Sequence, residues 1–376
     1  MRIGIDARTF KYSEYKGIAN TTFHIIQEWF EWHPEHEYYL ISNTEIYLPL
    51  SLPDNWHKVR KGRISNGVIW NELELPGIIR RLKLDAFWGP NFLLPPRVTG
   101  CRYAVTVHDF GFIYFKGTAS AGTSLTLKVL GKKSCRRADK VIAVSGATAK
   151  DAEKIYGIRE EKISVCRNGT DPIEKIRAIP EKIPASAMKL QDKKFFLFLS
   201  TIEPRKNPET VLHAFEKYLD SFGNTDRYLV FAGSKGWNNQ SFDEALIQSR
   251  HRDRIILTGY VSEEEKQWLL RHAELFVYPS LYEGFGLPIL EAMANGTVVI
   301  TSRVSSMPEV AGNAAFYIDD PQNVNALEKM MGKCCSLPEA QREEIQKRMI
   351  RQVNQFSWRT CAEEVLKQLI SRKDGE

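Results

Sequence analysis

The chain has 376 residues, of which 43% are hydrophobic and 26% are charged, and its formal net charge is +6. No apolar run approaches the roughly 20 residues that span a bilayer, so the composition is that of a globular protein without membrane-spanning segments. Because one hydrophobic core stops growing at roughly 250–300 residues, the length predicts two domains with a ligand-binding cleft between them. The N-terminus lacks the pattern of a signal peptide, and we therefore expect a cytoplasmic protein.

The excess positive charge lies in the first half, where residues 1–171 carry 25 Lys and Arg against 18 Asp and Glu. It is concentrated in runs at 58–63, 80–83 and 128–140. Such runs are most often solvated surfaces, and less often sites that bind an anionic membrane. No RNA- or DNA-binding motif accompanies them, so we expect no nucleic-acid partner. The six cysteines form no CxxC pair and have no histidines at zinc spacing, which predicts neither a metal site nor a disulfide framework.

Short aliphatic or β-branched runs alternate with longer helical patterns, which is typical of α/β proteins with parallel sheets. In the first half we predict strands at Arg2–Asp6, Tyr38–Ser42, Ala86–Trp88, Tyr103–Thr106, Val141–Val144 and Ile163–Val165, and helices near Ile18–Trp32, Trp70–Leu82, Ser124–Arg137 and Ala147–Tyr156. In the second half we predict strands at Phe195–Ser200, Tyr228–Ala232, Ile255–Leu257, Leu275–Tyr278, Val298–Thr301 and Ala315–Tyr317. Two such layouts in tandem predict two Rossmann-like domains.

The segment Thr170–Lys193 contains three prolines that interrupt regular structure, and it is the predicted linker. We therefore place an N-terminal domain at residues 1–185 and a C-terminal domain at residues 186–355. The chain closes with an amphipathic helix within residues 356–376, which we expect to pack back on the N-terminal domain.

The segment 282–291, YEGFGLPILE, places Glu283 and Glu291 eight positions apart around a glycine-rich turn. Gly284 and Gly286 have no Cβ, so the backbone there can bring its N–H groups against a ligand. The following proline suits the first turn of a helix, and helix N-termini favour anionic ligands. The pattern predicts a site for a sugar and its nucleotide, with Glu283 in the loop and Glu291 about one turn into the helix.

A buried strand, Phe195–Thr201, runs into the basic pair Arg205 and Lys206 just before a helix. Open α/β sheets bind ligands at the carboxyl ends of their strands, where Arg205 and Lys206 are placed to hold a diphosphate. Taken alone, two basic residues at the start of a helix are ordinary surface residues about as often as they are phosphate ligands. Their position shortly before Glu283 in the same domain favours phosphate binding.

Three other candidates follow predicted strands. His108 directly follows the strand Tyr103–Val107. At this position we expect a packing role and a ligand-binding role for the histidine about equally. Tyr260 and Val261 follow a strand of the second half and are candidates to contact a base. The adjoining Ser262–Glu265 has the pattern of a helix N-cap with an acidic first turn, so we predict a structural role for it.

Together these motifs resemble the retaining glycosyltransferases of family four, over nearly the whole chain. The most specific match is the family's E-x7-E motif, at Glu283 and Glu291. The other matches are EPRKN at 203–207, VHD at 107–109, AVS at 143–145, NGTD at 168–171 and the loop glycine Gly17. Two positions depart from the family pattern, since Thr297 replaces a usual proline and Ser200 replaces a frequent arginine. The resemblance implies the GT-B fold, with two facing Rossmann-like domains, parallel sheets and an interdomain cleft.

The resemblance also implies how the donor is held. Glu291 would hydrogen-bond the ribose, and Arg205 and Lys206 would bind the diphosphate. The backbone N–H groups of the segment Gly284, Phe285, Gly286 and Leu287 would meet sugar and phosphate. Tyr260 and Val261 stay candidates for the base.

Two residues are implied to be catalytic. Glu283 would lie beside the donor sugar, and His108 would meet that sugar from the acceptor-side first domain. Gly17 would let the first loop approach the diphosphate. No metal and no cofactor is implied, because positive side chains and amide donors can stabilise a diphosphate leaving group.

The implied activity is a retaining, metal-independent transfer of a hexose from a nucleotide diphosphate sugar to a glycan or glycolipid. The segments WNELELP at 70–76 and WGPN at 88–91 look like the subgroup of bacterial mannosyltransferases and O-antigen enzymes, which favours GDP-mannose as donor and a lipid-linked or growing surface polysaccharide as acceptor. The basic first domain suits peripheral contact with an anionic inner membrane. Two alternatives stay open, a sugar-nucleotide epimerase of the same architecture and a non-catalytic nucleotide-sugar-binding subunit.

Overall fold

The computed structural model describes residues 1–12, 15, 17–117, 120–223 and 226–371. By contacts the chain divides into two compact units, the first formed by Met1–Tyr114, Ala119–Gly169 and Ser357–Glu376, and the second by Phe115–Thr118 and Thr170–Phe356. Each unit is built on one parallel sheet, which confirms the predicted α/β class. Within the described residues, no helix combines the length and apolarity needed to cross a membrane.

The first unit contains a seven-stranded sheet in the order β3-β2-β1-β4-β5-β6-β7. Its strands are β1 (Arg2–Asp6), β2 (Glu37–Ser42), β3 (Trp56–Arg60), β4 (Ala86–Gly89), β5 (Arg102–Val107), β6 (Lys140–Ala143) and β7 (Ile163–Val165). Its helices before the second unit are α1 (Ile18–Trp32), α2 (Gly67–Leu73), α3 (Leu75–Leu82), α4 (Gly111–Tyr114), α5 (Ala121–Thr126), α6 (Lys132–Arg137) and α7 (Gly146–Tyr156). The central strands are buried almost throughout, as expected for a parallel sheet with helices on both faces.

The second unit contains a six-stranded parallel sheet in the order β10-β9-β8-β11-β12-β13. Its strands are β8 (Lys194–Leu199), β9 (Arg227–Ala232), β10 (Ile255–Gly259), β11 (Leu275–Tyr278), β12 (Val298–Ser302) and β13 (Phe316–Ile318). Its helices are α8 (Ile173–Ala178), α9 (Pro208–Phe222), α10 (Gln240–Gln248), α11 (Glu263–His272), α12 (Leu287–Ala294), α13 (Met307–Ala311), α14 (Val324–Cys335) and α15 (Glu339–Val353). The strand order reverses direction between β8 and β11, which is the point where such sheets bind ligands.

The last helix, α16 (Trp358–Ile370), belongs to the first unit. Its apolar face buries Val365, Leu366 and Leu369, and the Trp29 indole of α1 donates a 2.9 Å hydrogen bond to the Ala362 carbonyl. The start of α16 also touches Gly169, the last residue before the chain enters the second unit. A Cβ added at Gly169 would lie 2.1 Å from the backbone nitrogen of Trp358.

The predicted linker Thr170–Lys193 is more ordered than its prolines indicated. It contains α8 and a 3₁₀ turn at Ala185–Leu190. Arg271 of α11 fixes this segment, because its guanidinium donates to the Ile176 carbonyl at 2.8 Å and pairs with Glu181 at 2.7 Å. These contacts explain why the second unit already begins at Thr170, whereas the sequence analysis placed the boundary at residue 185.

Two other details of the first unit differ from the prediction. Strand β3 was not predicted, because its sequence was read only as a basic run; it pairs with β2 at the sheet edge and exposes Lys58 and Arg60. The single helix predicted near Trp70–Leu82 is two helices, since Glu74 separates α2 from α3 and a proline occupies the first turn of α3.

Candidate functional site

Two loops meet at the reversal point of the second sheet. The loop after β8 carries Glu203, Arg205 and Lys206, and the loop after β11 carries Glu283. The first loop contains a 3₁₀ turn, Pro204–Lys206, and the Leu281 amide donates to the Arg205 carbonyl at 2.8 Å. The sheet topology therefore brings together residues that are nearly 80 positions apart in the sequence.

The centre of this site is a buried ionic cluster around Glu283. The Lys206 ammonium lies 2.5 Å from one Glu283 oxygen, and the Tyr278 hydroxyl donates to that same oxygen at 2.7 Å. Arg205 donates to the other Glu283 oxygen at 3.3 Å and also pairs with Glu203 at 2.9 Å. We define the Glu283 cluster as Glu203, Arg205, Lys206, Tyr278 and Glu283.

Charge compensation decides the protonation of the cluster. Burial alone would raise the pKa of Glu283, but the neighbouring charges of Lys206 and Arg205 lower it to about 2. Burial and the nearby carboxylate raise the pKa of the Tyr278 hydroxyl, which stays protonated and donates. Glu283 is therefore a carboxylate although its side chain is buried.

The cluster retains donors for a ligand. An ammonium group has three N–H bonds, and Lys206 directs two of them to Tyr278 and Glu283. Among the described residues no acceptor takes the third. Ammonium and guanidinium donors form charge-assisted hydrogen bonds with phosphate oxygens, so this edge can bind an anion beside a fixed carboxylate.

The glycine-rich turn leads directly from Glu283 into α12. Gly286 is the N-cap of that helix and has φ +110°, a conformation that residues with a Cβ rarely adopt. The Ser306 hydroxyl, 2.7 Å from the Phe285 carbonyl oxygen, holds the turn from behind. Among the described residues, no group accepts a hydrogen bond from the backbone amides of Phe285, Gly286 and Leu287. These N–H donors are therefore available to a ligand at the helix N-terminus.

The remaining predicted residues of this turn have different environments. The Phe285 side chain is buried against Phe356, so only its backbone is placed to meet a ligand. Gly284 is buried and precedes it in the turn. Glu291 lies in α12, and one of its carboxylate oxygens accepts a 2.8 Å hydrogen bond from Lys266 of α11.

The loop before α11 carries the two candidates for base contact. Tyr260 is 59% exposed and Val261 is partly exposed. Ser262 then caps α11 and forms the reciprocal capping box with Glu265, which confirms the structural role predicted for this segment.

In the first unit, His108 follows β5 and is partly buried. Its Nε2 lies 2.7 Å from the Pro90 carbonyl oxygen, which can only accept, so Nε2 carries the proton. Burial lowers the pKa of His108 against the opposing effects of this hydrogen bond and of Asp109, so the neutral imidazole is favoured and Nδ1 is an acceptor. Gly17 caps α1 at φ +52°, and a Cβ there would meet nothing within 4 Å.

The sequence analysis missed two polar residues that contact the predicted ones. Tyr278 was read only as the end of a strand, although its position five residues before Glu283 is a signal that its hydroxyl can reach the loop. Lys266 was passed over because it follows a capping motif. A lysine within an acidic helix start, Glu263–Glu265, is itself a signal of a charge partner elsewhere.

Comparisons with known proteins agree with this architecture. The model described as Glycosyltransferase Family 4 matches residues 33–174, and the model described as Glycosyl transferases group 1 matches residues 180–354. The O-antigen chain mannosyltransferase B of Escherichia coli is 29% identical over 290 residues, which are 77% of this chain and 74% of that protein. The serotype-specific mannosyltransferase WbdA of Escherichia coli is 30% identical over 236 residues, which are 60% of this chain and 28% of that longer protein.

Among solved structures, the Anabaena protein HepE in complex with UDP and glucose has a TM-score of 0.68 at 16% identity, and the match covers 99% of both chains. At this identity the likeness is one of fold.

Proposed function

Because this chain belongs to the glycosyltransferases of the GT-B fold and resembles O-antigen mannosyltransferases, we propose that it is a retaining, metal-independent hexosyltransferase. The donor is a nucleotide diphosphate sugar. The names of the relatives favour mannose as its hexose, and the subgroup likeness of the segments at 70–76 and 88–91 favours GDP-mannose. The acceptor is a lipid-linked or growing surface polysaccharide such as O-antigen. The observation that carries the proposal is the Glu283 cluster at the sheet reversal point, beside the free amides of α12.

The chemistry follows from these charges. As the bond between the anomeric carbon and the phosphate oxygen breaks, negative charge develops on the leaving diphosphate. Lys206 and the amides at the N-terminus of α12 stabilise this charge. The anomeric carbon becomes oxocarbenium-like, and the ionised Glu283 stabilises positive charge there. The acceptor hydroxyl attacks from the face that the diphosphate leaves, so the leaving phosphate itself takes the hydroxyl proton. With Nε2 donating to Pro90, His108 offers Nδ1 to a donor-sugar hydroxyl.

A ligand panel tests the donor class. UDP, GDP, dTDP, ADP and CDP and their hexose conjugates are compared by thermal shift, since ligand at about 100 times its dissociation constant stabilises by roughly 2.7 kcal/mol. We expect a guanine nucleotide to stabilise most. If no compound of this panel raises the unfolding temperature, the proposal of a nucleotide-sugar donor is contradicted.

Product analysis separates the alternatives. Incubation of the preferred donor with a lipid-linked oligosaccharide should give a longer glycan whose new linkage has the anomeric configuration of the donor, with the rate unchanged by EDTA. An epimerase would convert the nucleotide sugar without acceptor, and a non-catalytic subunit would bind it without turnover. An inverted linkage would contradict the retaining course.

We propose that the helical stretch 121–137 docks on anionic lipid. On one of its faces Leu125 is 64% exposed and Val129 is 55% exposed, at a spacing of four residues. Lys128, Lys133 and Arg136 continue this face and are exposed. Apolar side chains beside basic ones are typical of a surface that enters the lipid headgroup region, where each basic residue contributes about 1 kcal/mol.

Vesicle binding tests this surface. The variant Leu125→Asp/Val129→Asp should lose retention by vesicles rich in anionic phospholipid at low salt. Ile247→Asp, at an apolar position of the second unit that is 80% exposed, is the matched control and should be retained like the wild type. Equal retention of all three proteins would contradict docking through this face.

A further inference from the structure

A lysine in α11 links two parts of the proposed donor site. Lys266 is the fourth residue of α11, the helix that begins directly after the Tyr260–Val261 loop. Its ammonium lies 2.8 Å from a carboxylate oxygen of Glu291 in α12 and 2.9 Å from Glu263 in its own helix. The ion pair therefore joins the helix after the proposed base-contacting loop to the helix that carries the proposed ribose-binding carboxylate.

The geometry is that of a fixed pair rather than of a solvated one. The Lys266 side chain is 19% exposed and that of Glu291 is 30% exposed, whereas Glu263 is half-exposed. Burial alone would lower the pKa of Lys266, but the two carboxylates outweigh it and the pKa is raised. Lys266 thus stays charged throughout the physiological range, and both carboxylates share its charge.

The contact leaves part of Glu291 available. Lys266 occupies Oε1 of Glu291, and no donor among the described residues occupies Oε2. A carboxylate that is held at one oxygen presents the other in a fixed direction, which suits the vicinal hydroxyls of a ribose. Without the lysine, an exposed glutamate samples several rotamers and must be ordered when the ligand binds.

We propose that Lys266 is a positioning residue that orients Glu291 for the ribose hydroxyls of the donor and thereby sets the preference for a ribonucleotide. The inference rests on the proposed function, because it takes a nucleoside diphosphate as the ligand of Glu291. A merely structural link between α11 and α12 would instead stabilise the unit without distinguishing one sugar ring from another.

The test compares ligands that differ only in the ribose hydroxyls. UDP, GDP, ADP and CDP are titrated by calorimetry, and the tightest is then compared with its 2′,3′-dideoxy analogue in the wild type, Lys266→Met and Lys266→Arg. We expect Lys266→Met to weaken binding of the ribonucleotide about tenfold, which is within the range of interaction energies between residues in direct contact. Binding of the dideoxy analogue should weaken by less than about twofold. Lys266→Arg keeps the charge and should recover part of the ribonucleotide preference.

Lys193→Met is the matched control. Lys193 pairs with Asp226 at the amino end of β8, the sheet edge opposite to the proposed site, and both side chains are exposed. It should bind both ligands as the wild type does. If Lys266→Met does not fold, Lys266→Gln, which removes the charge and shortens the side chain, is compared with Glu291→Gln, and both should lose the ribonucleotide preference.

The outcomes separate the two proposals. Equal weakening of both ligands, or no weakening, in a folded Lys266 variant overturns the positioning role while the wild type still binds nucleotide. A wild type that binds none of the four ribonucleotides overturns the proposed donor class and this inference with it.

Discussion

The Glu283 cluster shows why single residues in this site are difficult to exchange. Two cations and two carboxylates compensate one another in a buried environment, and Tyr278 supplies a neutral donor. Removing one partner leaves a buried charge uncompensated, which costs more than removing an exposed pair. The cluster therefore couples the stability of the second unit to its proposed chemistry.

A double-mutant cycle measures this coupling. Lys206→Met should destabilise the protein by about 3 kcal/mol, and Lys206→Met/Glu283→Gln by less than the sum of the two single changes. All three variants should slow hexose transfer at least tenfold, about 1.4 kcal/mol of barrier. Urea unfolding and initial rates provide both quantities. If the changes in unfolding free energy are additive, or if the folded variants turn over at a near-normal rate, the Glu283 cluster does not act as one coupled group.

The lowered pKa of Glu283 predicts an acid-labile contribution to stability. Its folded-state pKa of about 2 lies below the ordinary value of 4.5, so the stabilisation is complete above pH 4.5 and is lost as the pH falls towards 2. Glu283→Gln should remove roughly 2 to 3 kcal/mol of this pH dependence. Urea unfolding of both proteins at a series of pH values between these limits measures it, and parallel curves would show that Glu283 does not titrate there.

The candidate site was predicted in part from the sequence. Arg205 and Lys206 were found because they follow a buried strand, and Glu283 because it enters a glycine-rich turn eight positions before Glu291. The structure places Arg205 and Lys206 in direct contact with Glu283. The partners Tyr278 and Lys266 were not found, because a tyrosine within a strand and a lysine within a helix have no local pattern that names a distant carboxylate. Their roles depend on which strands are neighbours, and that order is a property of the sheet.

At the scale of elements, hydrophobic patterns located most strands and helices. Helix α1 has the predicted bounds, and β1 and β7 also match. Edge strand β3 was missed, since one of its faces is solvated and its exposed lysine and arginine hide the β alternation. The helix 121–137 is continuous but includes a π-helical stretch at Leu127–Gly131, which no sequence pattern indicated.

A pair of glycine substitutions tests how elements meet. Gly169→Ala should destabilise the first unit by about 2 to 3 kcal/mol, because its Cβ would overlap the backbone of Trp358 at the start of α16. Gly77→Ala, within α3 and with nothing near its Cβ, should stabilise by about 0.5 to 1 kcal/mol. Thermal unfolding of both variants gives the comparison, and similar effects would contradict the close approach at Gly169.

At the scale of the molecule, the two units differ in how the chain builds them. Apart from the short segment Phe115–Thr118, the second unit is continuous from Thr170 to Phe356, and the first is completed by residues on both sides of it. Helix α16 covers the first unit through Trp358, Val365 and Leu369, all of them buried. The sequence analysis expected two domains and a C-terminal helix that packs back on the first of them, and the structure assigns α16 to the first unit.

Ending the chain after Phe356 should affect the units unequally. Without α16 the first unit exposes Trp29 and the apolar surface around it, so it should lose protease resistance, while the second unit keeps its core. Limited proteolysis with mass spectrometry should recover a fragment close to Thr170–Phe356. Equal degradation of both units would show that α16 supports the whole chain.

The contact between Gly169 and Trp358 also has a consequence for biosynthesis. The ribosome makes residues 1–169 first, but the first unit must wait for about two hundred further residues before α16 emerges to cover it. The second unit is complete earlier and can fold while its neighbour is still unfinished. During that interval the uncovered surface around Trp29 is a natural target for chaperones, so this protein should depend on them more than a chain whose domains follow one another without interruption.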